Sequence, residues 1–471
     1  MTKKILIGGK WSEASEQINV TNRFTNESIA DVYSATDSEN EMAIGFAVNA
    51  AQQMKKLSRF EIAEGLRKIA EGIEKRQNEF AETIAKEAAK PIKTALGEVL
   101  RGIATFNWAA GEAERFVGEV VPIDTIATGK GKTAYTKRIP RGVIYGITPF
   151  NFPLNLVGHK VAPALASGNA IIIKPSQRTP LTALLLGEVF IESGLPESAL
   201  QIVPMDTKYI ESVYTDERIT MISFTGSAEI GWQIKSKAHK KMVTLELGGN
   251  APVIVDESAN FENSLKQTTM GAFAYAGQVC ISVQRVLVHE KIFDKWTEKF
   301  VENAKKLKIG NPLDETTDLS AMIDETSAKK AQSWIDEALQ NDAKLLCGNN
   351  RNGAVLDATI LTNTNSEMRV VSEEIFAPVA VVEKFSDFEE AVDLANQTKF
   401  GLQAGVFTND LQNMQFASEN LEYGGVIIND VPTFRVDNMP YGGVKDSGFG
   451  REGVRYAMGE MSEIRIIVMN K

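Results

Sequence analysis

The sequence predicts an α/β protein built on doubly wound parallel sheets, and three observations support this prediction. Short apolar, β-branched runs at 143–147 and 170–173 have the length and composition of buried parallel strands. Segments with helical apolar spacing, such as 180–193, alternate with these runs. A second series of the same kind begins near residue 251. This alternation is typical of sheets with helices on both faces.

The remaining segments are taken in chain order. Residues 1–36 predict short strands and turns, and 38–116 predict helices that break at Pro91, where a new helix starts. Residues 117–141 predict an exposed hairpin or arm. The glycine-rich end of the chain, about the last 50 residues, is expected to be irregular before a terminal strand at 462–469. The second half predicts strands at 252–255, 284–288, 355–361 and 379–383, and helices at 260–276, 291–306, 325–340 and 387–397.

Composition limits the class of protein. The chain has 471 residues, enough for two or three domains, and 43% of them are hydrophobic, as in ordinary globular proteins. A net charge of −10 argues against a nucleic-acid partner, which needs basic surfaces. Two cysteines cannot form a disulfide framework, and no apolar run is long enough to span a membrane, so we expect a cytoplasmic protein. Three histidines and two cysteines leave few metal ligands, and no metal site is expected.

Cys280 is one candidate for chemistry. It follows the flexible Gly277 and lies between a segment with helical spacing and a β-branched run. A rigid scaffold can hold a cysteine at such a position within reach of a substrate. The same residue is equally compatible with a small buried hydrophobe. The second cysteine, Cys347, lies in a turn and is assigned no role.

Two segments at strand ends are candidates for ligand binding. Residues 224–231 follow a strand and open a helix, so their backbone amides can receive a phosphate or simply begin the helix. Lys174 ends a buried strand, where ligands of open α/β sheets bind, although a solvated turn lysine would look the same.

Two polar residues in apolar surroundings are candidates for catalysis. Glu246 lies between two leucines, which would raise its pKa towards that of a general base, or it is exposed on one face of a strand end. Asn151 lies among aromatic residues and prolines, where its amide is a suitable oxyanion donor or a turn residue.

Taken together, these motifs resemble the NAD(P)-dependent aldehyde dehydrogenase superfamily over essentially all 471 residues. The motifs occur in the same order as in the family. The spacing of 34 residues between Glu246 and Cys280 is also similar to the spacing in the family. The motifs are Thr-Pro-Phe-Asn-Phe-Pro at 148–153, Lys-Pro-Ser at 174–176, Phe-Thr-Gly-Ser at 224–227, Leu-Glu-Leu-Gly-Gly at 245–249, Gly-Gln-Val-Cys at 277–280 and Glu-Glu-Ile-Phe-Ala-Pro at 373–378.

The resemblance implies a mechanism. Cys280 would attack the aldehyde to give a thiohemiacetal, whose oxyanion is held by the Asn151 amide and the Cys280 backbone N–H. Hydride transfer to the nicotinamide would leave a thioester, which water activated by Glu246 hydrolyses. Lys160 and Glu452 match positions of a proton path from that base, or they form an internal ion pair.

The family binds NAD or NADP without the usual Gly-x-Gly-x-x-Gly loop. The resemblance assigns Lys174 to the adenine ribose, Ser227 to the pyrophosphate and Glu374 to the nicotinamide ribose, with Phe376 near the ring. NAD-preferring relatives often have a glutamate where this chain has Gln177, followed by Arg178, so both NAD and NADP are expected to bind. The predicted cofactor-binding residues are Ile147, Thr148, Pro149, Phe150, Lys174, Ser176, Gln177, Gly226, Ser227, Leu247, Gly248, Glu374 and Phe376.

Three basic residues, Arg101, His159 and Arg435, are predicted to bind substrate together with Asn151. They resemble positions in the subgroup of lactaldehyde, phosphonoacetaldehyde and non-phosphorylating glyceraldehyde-3-phosphate dehydrogenases. The implied substrate is a small hydroxylated or anionic aldehyde, including the sulfolactaldehyde type. Members of that subgroup that bind a strong anion often have an arginine where this chain has Val279. The alternative role of Arg101 and Arg435 is to form structural ion pairs. A CoA-acylating enzyme and a generic semialdehyde dehydrogenase are the alternatives.

The resemblance also implies three parts. A Rossmann-type NAD(P)-binding domain would take 1–116 and 141–248, and an α/β catalytic domain would take 249–448. A small β oligomerisation arm would combine 117–140 with 456–471. An exposed two-stranded arm has an edge that must pair, so a homo-oligomer, either a dimer or a tetramer, is expected.

Overall fold

The computed structural model describes residues 2–470, and both halves of the chain alternate strands with helices. In chain order the first half contains β1 Ile5–Ile7, β2 Lys10–Ser12, β3 Glu16–Thr21, β4 Ser28–Ser34, α1 Asp37–Met54, α2 Arg59–Lys75, α3 Gln77–Ala88, α4 Ile92–Arg115, β5 Val120–Val121, β6 Lys132–Pro140, β7 Val143–Ile147, α5 Asn155–Ala166, β8 Ala170–Lys174, α6 Leu181–Ile191, β9 Leu200–Ile202, α7 Glu211–Thr215, β10 Ile219–Thr225, α8 Ala228–Lys237 and β11 Met242–Glu246.

The second half repeats this alternation and adds shorter strands. It contains β12 Ala251–Val255, α9 Phe261–Phe273, β13 Val283–His289, α10 Glu290–Lys305, α11 Glu325–Gln340, β14 Lys344–Cys347, β15 Arg351–Asn352, β16 Val355–Leu356, β17 Thr359–Thr362, α12 Arg369–Ser372, β18 Val379–Phe385, α13 Phe388–Asn396, β19 Phe400–Gly401, β20 Gln403–Phe407, α14 Leu411–Asn420, β21 Gly425–Ile428, β22 Val444–Lys445, β23 Gly448–Phe449, α15 Val454–Glu460 and β24 Ser462–Asn470.

The first large sheet has the strand order β2-β1-β9-β8-β7-β10-β11-β23. Its centre, from β9 to β11, is parallel, whereas β1 and β23 pair antiparallel to the ends of that centre. All five residues of β8 are buried, because helices such as α1, α5 and α6 pack on the sheet. A strand covered on both faces needs an apolar run rather than alternation, which is what the sequence contains.

The second large sheet has the order β14-β17-β18-β13-β12-β20-β21 and is parallel except for its edge strand β14. Its core includes an aromatic stack, in which the ring of Phe300 lies 5.1 Å from Trp296 and 5.8 Å from Phe273. Two α/β sheets with covering helices confirm the predicted fold class.

A small separate sheet has the order β24-β6-β5. β6 and β24 pair antiparallel along nine residues each, from Lys132 opposite Asn470 to Pro140 opposite Ser462. β24 forms an edge of this sheet and exposes Ile464, Ile466 and Val468. An exposed apolar edge strand of this length can pair with a strand of another subunit. The homo-oligomer stays a prediction, and β24 is the surface on which subunits would pair.

Two sequence predictions differ from the structure at their boundaries. The single strand at 355–361 is two strands, β16 and β17, because Asp357 bonds back to Asn350 and takes the chain out of the ladder. The helix at 260–276 ends at Phe273, because Tyr275 and Ala276 have left-handed φ values of 51° and 52°.

The glycine-rich end of the chain is more regular than predicted. α15 occupies 454–460, part of the segment assigned to the arm, and packs on α4 and α5. Its buried residues Val454, Ala457 and Met458 have helical spacing, but two turns are too few for this periodicity to stand out in the sequence. β23 also joins the first sheet at residue 448, where the catalytic domain was predicted to end.

No helix within residues 2–470 has both the length and the apolar composition needed to cross a membrane. The same residues contain no group of three or more His, Cys, Asp or Glu side chains placed to hold a metal ion.

Lys90, two residues before α4, forms a fully buried ion pair with Glu98 in the second turn of that helix. The Glu98 carboxylate also accepts hydrogen bonds from the backbone amides of Leu154 and Asn155, at the start of α5. The Lys90 ammonium lies 3.6 Å from the centre of the Phe152 ring. The pair therefore links α4 to the segment that carries Asn151.

Replacing Lys90 with methionine is expected to lower the free energy of unfolding by about 3–5 kcal/mol, because Glu98 keeps a buried charge without its cation. Thermal and denaturant unfolding measure the loss. The double variant K90M/E98Q removes both charges and is expected to recover part of the stability. A single variant as stable as the wild type would contradict the importance of the pair.

Candidate active site

Cys280, Glu246 and Asn151 line one cleft of about 470 Å³. Asn151 lies four residues beyond the end of β7, and Glu246 ends β11 in the same sheet. Cys280 comes from the second half of the chain, between α9 and β13. Three segments that are distant in sequence therefore meet where two strands of the first sheet end at their carboxyl edge, the usual ligand site of such sheets.

The segment before Cys280 is a strained turn. Tyr275, Ala276 and Gly277 have consecutive φ values of 51°, 52° and 65°. Left-handed backbone costs a non-glycine residue about 1–2 kcal/mol, so the surrounding contacts must enforce it. At Gly277 a Cβ atom would lie 2.0 Å from the Ala377 carbonyl oxygen, so only glycine fits. The Gln278 side-chain oxygen accepts a bond from the Ile323 amide, which fixes the far side of the turn.

The Cys280 thiol is half-buried, and its Sγ lies 3.2 Å from the Tyr441 hydroxyl. Burial raises the pKa of Cys280 to about 12, although the hydrogen bond with Tyr441 acts in the opposite direction. The free cysteine therefore carries its proton at neutral pH, and a base must remove that proton before the sulfur can attack.

Asn151 is held beside Cys280 by a hydrogen bond from its Nδ2 to the Gln278 carbonyl oxygen, at 2.9 Å. This bond uses one of the two N–H groups of the amide, which leaves the second as a donor. The side chain is buried, and within residues 2–470 its Oδ1 has no hydrogen-bond partner.

Glu246 is buried rather than exposed on one face of the strand. Its Oε2 has no hydrogen-bond partner in the described part of the chain. Burial and the negative charge of Glu452 raise the pKa of Glu246 well above its ordinary value, against the opposing charges of Arg435 and Lys160. A buried carboxyl group with a raised pKa is suited to act as a general base.

Lys160 and Glu452 lie behind Glu246 and do not line the cleft. The Lys160 ammonium is 3.2 Å from Glu452 Oε1 and donates to the hydroxyl groups of Ser223 and Thr225 at 3.1 and 2.7 Å. Lys160 and the arginine and histidine beside Glu452 lower the pKa of that carboxyl despite its burial. The structure thus contains the internal ion pair that the sequence left as one alternative.

Arg101, His159 and Arg435 line the cleft and all face Asp437. Arg101 Nη2 and His159 Nε2 each lie 2.9 Å from Asp437 Oδ1, and Arg435 Nη2 donates to Glu452 Oε2 at 3.0 Å. Both arginines are therefore ion-paired. Arg435 is almost fully buried, whereas the Arg101 side chain is 34% exposed. Burial alone would raise the pKa of Asp437, but His159, Arg101 and Arg435 together lower it well below its ordinary value.

The predicted cofactor residues form two neighbouring groups. Eight line the cleft with Cys280: Pro149, Phe150, Gly226, Ser227, Leu247, Gly248, Glu374 and Phe376. The other five, Ile147, Thr148, Lys174, Ser176 and Gln177, lie beside the cleft at the ends of β7 and β8, where Ile147 and Lys174 are paired in register.

These two groups fit a dinucleotide. Ser227 precedes α8 without making a side-chain cap, so the amides at this helix start are available to a phosphate. At Gly248 a Cβ atom would lie 2.3 Å from Glu374 Oε2, so glycine keeps the space open. Burial lowers the pKa of Lys174 to about 8, and among residues 2–470 its ammonium has neither an ion pair nor a hydrogen bond. Burial also raises the pKa of Glu374 to about 7.

Gln177 and Arg178 are placed differently from each other. The Gln177 amide donates to the Ser34 hydroxyl at 3.3 Å. Arg178 instead pairs with Asp324 at 2.9 Å and stacks near Phe150. An additional phosphate beside Gln177 would compete with Asp324 for this arginine.

Replacing Gln177 with glutamate is expected to lower kcat/KM with NADP by about tenfold or more and to leave the value with NAD within about twofold, because a carboxylate repels a 2′-phosphate. Steady-state kinetics with both cofactors measure the ratio. Q177M, which changes the polarity without adding charge, is the matched control. An unchanged NADP/NAD ratio in Q177E would show that Gln177 does not face the ribose.

Two residues of the site carried no prediction. Asp437 faces the side chains of Arg101, His159 and Arg435, and Tyr441 contacts the nucleophile candidate. Both lie in the segment after Arg435 that reads as an irregular tail. What marks them is contact with residues that are distant in sequence, such as Arg101 and Asp437, which lie 336 residues apart. No local sequence pattern predicts such contacts.

Known proteins are similar to this chain over almost its whole length. The sequence profile described as the aldehyde dehydrogenase family matches residues 11–467. The chain is 41% identical to a 3-sulfolactaldehyde dehydrogenase of Priestia aryabhattai, over 99% of this chain and 98% of that protein.

Two solved structures are also similar over nearly the whole chain. Aldehyde dehydrogenase 21 of Physcomitrella patens, in complex with its reaction product succinate, is 43% identical with a TM-score of 0.98, covering 100% of this chain and 98% of that one. The glyceraldehyde-3-phosphate dehydrogenase GapN of Methanocaldococcus jannaschii, complexed with NADP, is 40% identical with a TM-score of 0.93, covering 97% of this chain and 100% of that one.

Proposed function

The chain belongs to the aldehyde dehydrogenase family, and on that premise we propose that it oxidises a small anionic or hydroxylated aldehyde to its carboxylate with NAD or NADP. One observation carries this proposal: Cys280, Asn151 and Glu246 share one cleft with a cluster of basic side chains. The first three supply the chemistry, and the basic cluster supplies a reason for a particular class of aldehyde.

The first stage forms a bond between the Cys280 sulfur and the aldehyde carbon. Glu246, whose raised pKa makes it a competent base, accepts the thiol proton by way of water. The carbonyl oxygen becomes an oxyanion, which the free N–H of the Asn151 amide and the Cys280 backbone N–H stabilise. A nicotinamide cofactor held by residues such as Ser227, Lys174 and Glu374 would supply the hydride acceptor, and loss of hydride from this adduct would leave a thioester on Cys280.

The second stage hydrolyses the thioester. The Glu246 carboxylate removes a proton from water, the water oxygen attacks the acyl carbon, and the carbon–sulfur bond breaks to return the Cys280 thiolate and the carboxylic acid. Lys160 and Glu452 are buried behind this base and form the remaining members of a route by which its proton leaves. The presence of Glu246 favours hydrolysis over acyl transfer to CoA.

The charge of the pocket favours an anionic substrate. Two arginines, Arg101 and Arg435, line the cleft and share the carboxylate of Asp437. Arg435 also pairs with Glu452, whereas Arg101 is the more exposed of the two. Its guanidinium lines the cleft and has a buried Nε without a hydrogen-bond partner within residues 2–470. Arg101 is the residue best placed to meet a sulfonate, phosphate or carboxylate.

The three relatives support the same class. A sulfolactaldehyde, glyceraldehyde 3-phosphate and the aldehyde that yields succinate each carry an anionic group at the far end of a short chain. The proposed substrate shares that design. The succinate complex keeps a semialdehyde among the candidate substrates. Succinic semialdehyde differs from sulfolactaldehyde and glyceraldehyde 3-phosphate in lacking a hydroxyl group.

A panel of aldehydes tests this proposal. Sulfolactaldehyde, glyceraldehyde 3-phosphate, succinic semialdehyde, lactaldehyde and propionaldehyde are each assayed with NAD and with NADP, with and without CoA. An anionic aldehyde is expected to have the highest kcat/KM, without any need for CoA. A preference for propionaldehyde would overturn the proposed substrate class, and an absolute CoA requirement would overturn the hydrolytic mechanism.

R101Q refines the same test. The variant is expected to raise KM for the preferred anionic aldehyde by about tenfold, the value of one charge-assisted contact, and to change KM for lactaldehyde little. R115Q, which alters another arginine of the same helix, is the control. Equal effects of R101Q on charged and neutral aldehydes would remove Arg101 from the anion site.

We also propose that the division into cofactor domain, catalytic domain and arm holds for this chain, and that β24 carries the contact between subunits. The exposed apolar residues along this edge strand support the proposal. Light scattering of the purified protein, with and without a proline at Ile466, tests it. A dimer or tetramer that survives the substitution would place the contact elsewhere.

A further inference from the structure

Tyr441 is the side chain that touches the reacting sulfur, and neither the motifs nor the proposed mechanism uses it. Its hydroxyl oxygen lies 3.2 Å from Cys280 Sγ. The side chain is almost fully buried, at 3% exposure, and packs with Ile281 and Leu402 in a small apolar cluster under the cysteine. A hydroxyl in such surroundings has few alternatives to the sulfur as a partner.

Arg435 fixes the ring of Tyr441 from its other side. The guanidinium carbon lies 3.7 Å from the ring centre, a close cation–π contact. Arg435 is held there by Glu452 at 3.0 Å and by the ring of His159 at 3.1 Å. The chain of contacts thus runs from buried charges, through a stacked cation, to a phenol and then to the nucleophile.

We propose that Tyr441 is a further catalytic residue of this site, whose hydroxyl donates a hydrogen bond to the Cys280 thiolate while Arg435 holds and polarises its ring. This role deepens the proposed function and rests on Cys280 being the nucleophile. It also gives Arg435 a task besides contact with substrate, since its charge is already balanced by carboxylates.

The direction of the hydrogen bond follows from the two groups. Burial raises the pKa of Tyr441 well above its ordinary value, so the phenol keeps its proton over the working range of pH. Once the thiol has lost its proton to a base, the sulfur has only lone pairs, and the phenol is the sole donor of the pair. A hydrogen bond to a charged acceptor favours that charged form, so Tyr441 opposes the effect of burial on the thiol.

Y441F tests the proposal, because it removes one oxygen atom and keeps the ring under Arg435. The rate of alkylation of Cys280 by iodoacetamide is followed by mass spectrometry from about pH 6 to 9, on the full-length enzyme without substrate. Loss of the bond is expected to lower the thiolate fraction about tenfold at each pH. The alkylation rate would fall less, about threefold, because the more basic thiolate is more nucleophilic.

Steady-state kinetics complete the test. Y441F is expected to lower kcat by about tenfold with KM within about twofold, and Y456F, at an exposed tyrosine, is expected to match the wild type in both assays. An alkylation rate in Y441F that equals or exceeds that of the wild type at every pH would overturn the proposal. If the wild type is at the same time an active aldehyde dehydrogenase, that result overturns only the role of Tyr441 and leaves the proposed function standing. An inactive wild type with normal thiol reactivity would overturn the function instead.

Discussion

Replacing Cys280 with alanine is expected to abolish aldehyde oxidation, with a loss in kcat of about 10⁴-fold or more. The sulfur forms the bond on which both stages of the reaction depend, and no other side chain of the cleft can take its place. Asn151 and Glu246 would remain, but each acts on an adduct that no longer forms. Formation of NAD(P)H, followed by absorbance, measures the loss.

The second cysteine provides the matched control. Cys347 ends β14, is buried beside the Ala358 carbonyl and lies in the core of the second sheet, so C347A removes a thiol of the same kind from a purely structural position. This variant is expected to keep its activity. Calorimetric binding of NAD and NADP separates a chemical defect from a folding defect, because C280A should bind both as the wild type does. A C280A enzyme with undiminished turnover would refute the nucleophile.

An element of this fold can be predicted when the sequence pattern that specifies it lies within a short stretch of chain. One window of sequence is enough to predict a strand such as β8, which is apolar on both faces, or a helix as long as α11. α15, with seven residues, does not, and neither does the split at Asp357, which a hydrogen bond to Asn350 causes. Local patterns find elements that stabilise themselves through their own periodicity. Contacts to other parts of the chain decide where such elements end.

The site follows the same rule. Cys280, Glu246 and Asn151 each lie in a motif of a few residues, and the resemblance of the ordered motifs to a family was enough to assemble them. Tyr441 reaches the cysteine across 161 residues and lies in no such motif. The ion pairs of Arg101 and Arg435 were an open alternative in the sequence, and only the distances to Asp437 and Glu452 resolve it. Charge balance in a pocket is a three-dimensional property.

Replacing Glu246 with glutamine is expected to stop the reaction after one turnover. Acylation needs only that the Cys280 thiol loses its proton, which solvent can accept in place of Glu246, whereas hydrolysis needs a water that is activated beside the acyl carbon. E246Q should therefore release up to one NAD(P)H per active site in a burst and then turn over about 10²–10⁴-fold more slowly than the wild type. Rapid mixing measures the burst, and mass spectrometry of the quenched enzyme detects the acyl group on Cys280.

A steady rate in E246Q close to that of the wild type would contradict the role of Glu246 as the base. Loss of the burst together with the steady rate would show instead that solvent cannot replace Glu246 as the acceptor of the thiol proton. E383Q is a suitable control, since burial also raises the pKa of Glu383, whose carboxylate accepts hydrogen bonds from Thr364 far from the cleft motifs.

The pH dependence gives this base a signature of its own. Because its pKa is raised, Glu246 is protonated over a range in which an ordinary glutamate is ionised, so kcat should rise with pH through a midpoint well above 4.5. Glu452 contributes to that elevation through its negative charge, and it also neutralises Lys160 and Arg435. E452Q removes the charge and frees both cations, and each change favours ionised Glu246. The midpoint of the rising limb should therefore move to lower pH. If Glu452 served only to carry protons, the variant would lower kcat at every pH and leave the midpoint in place.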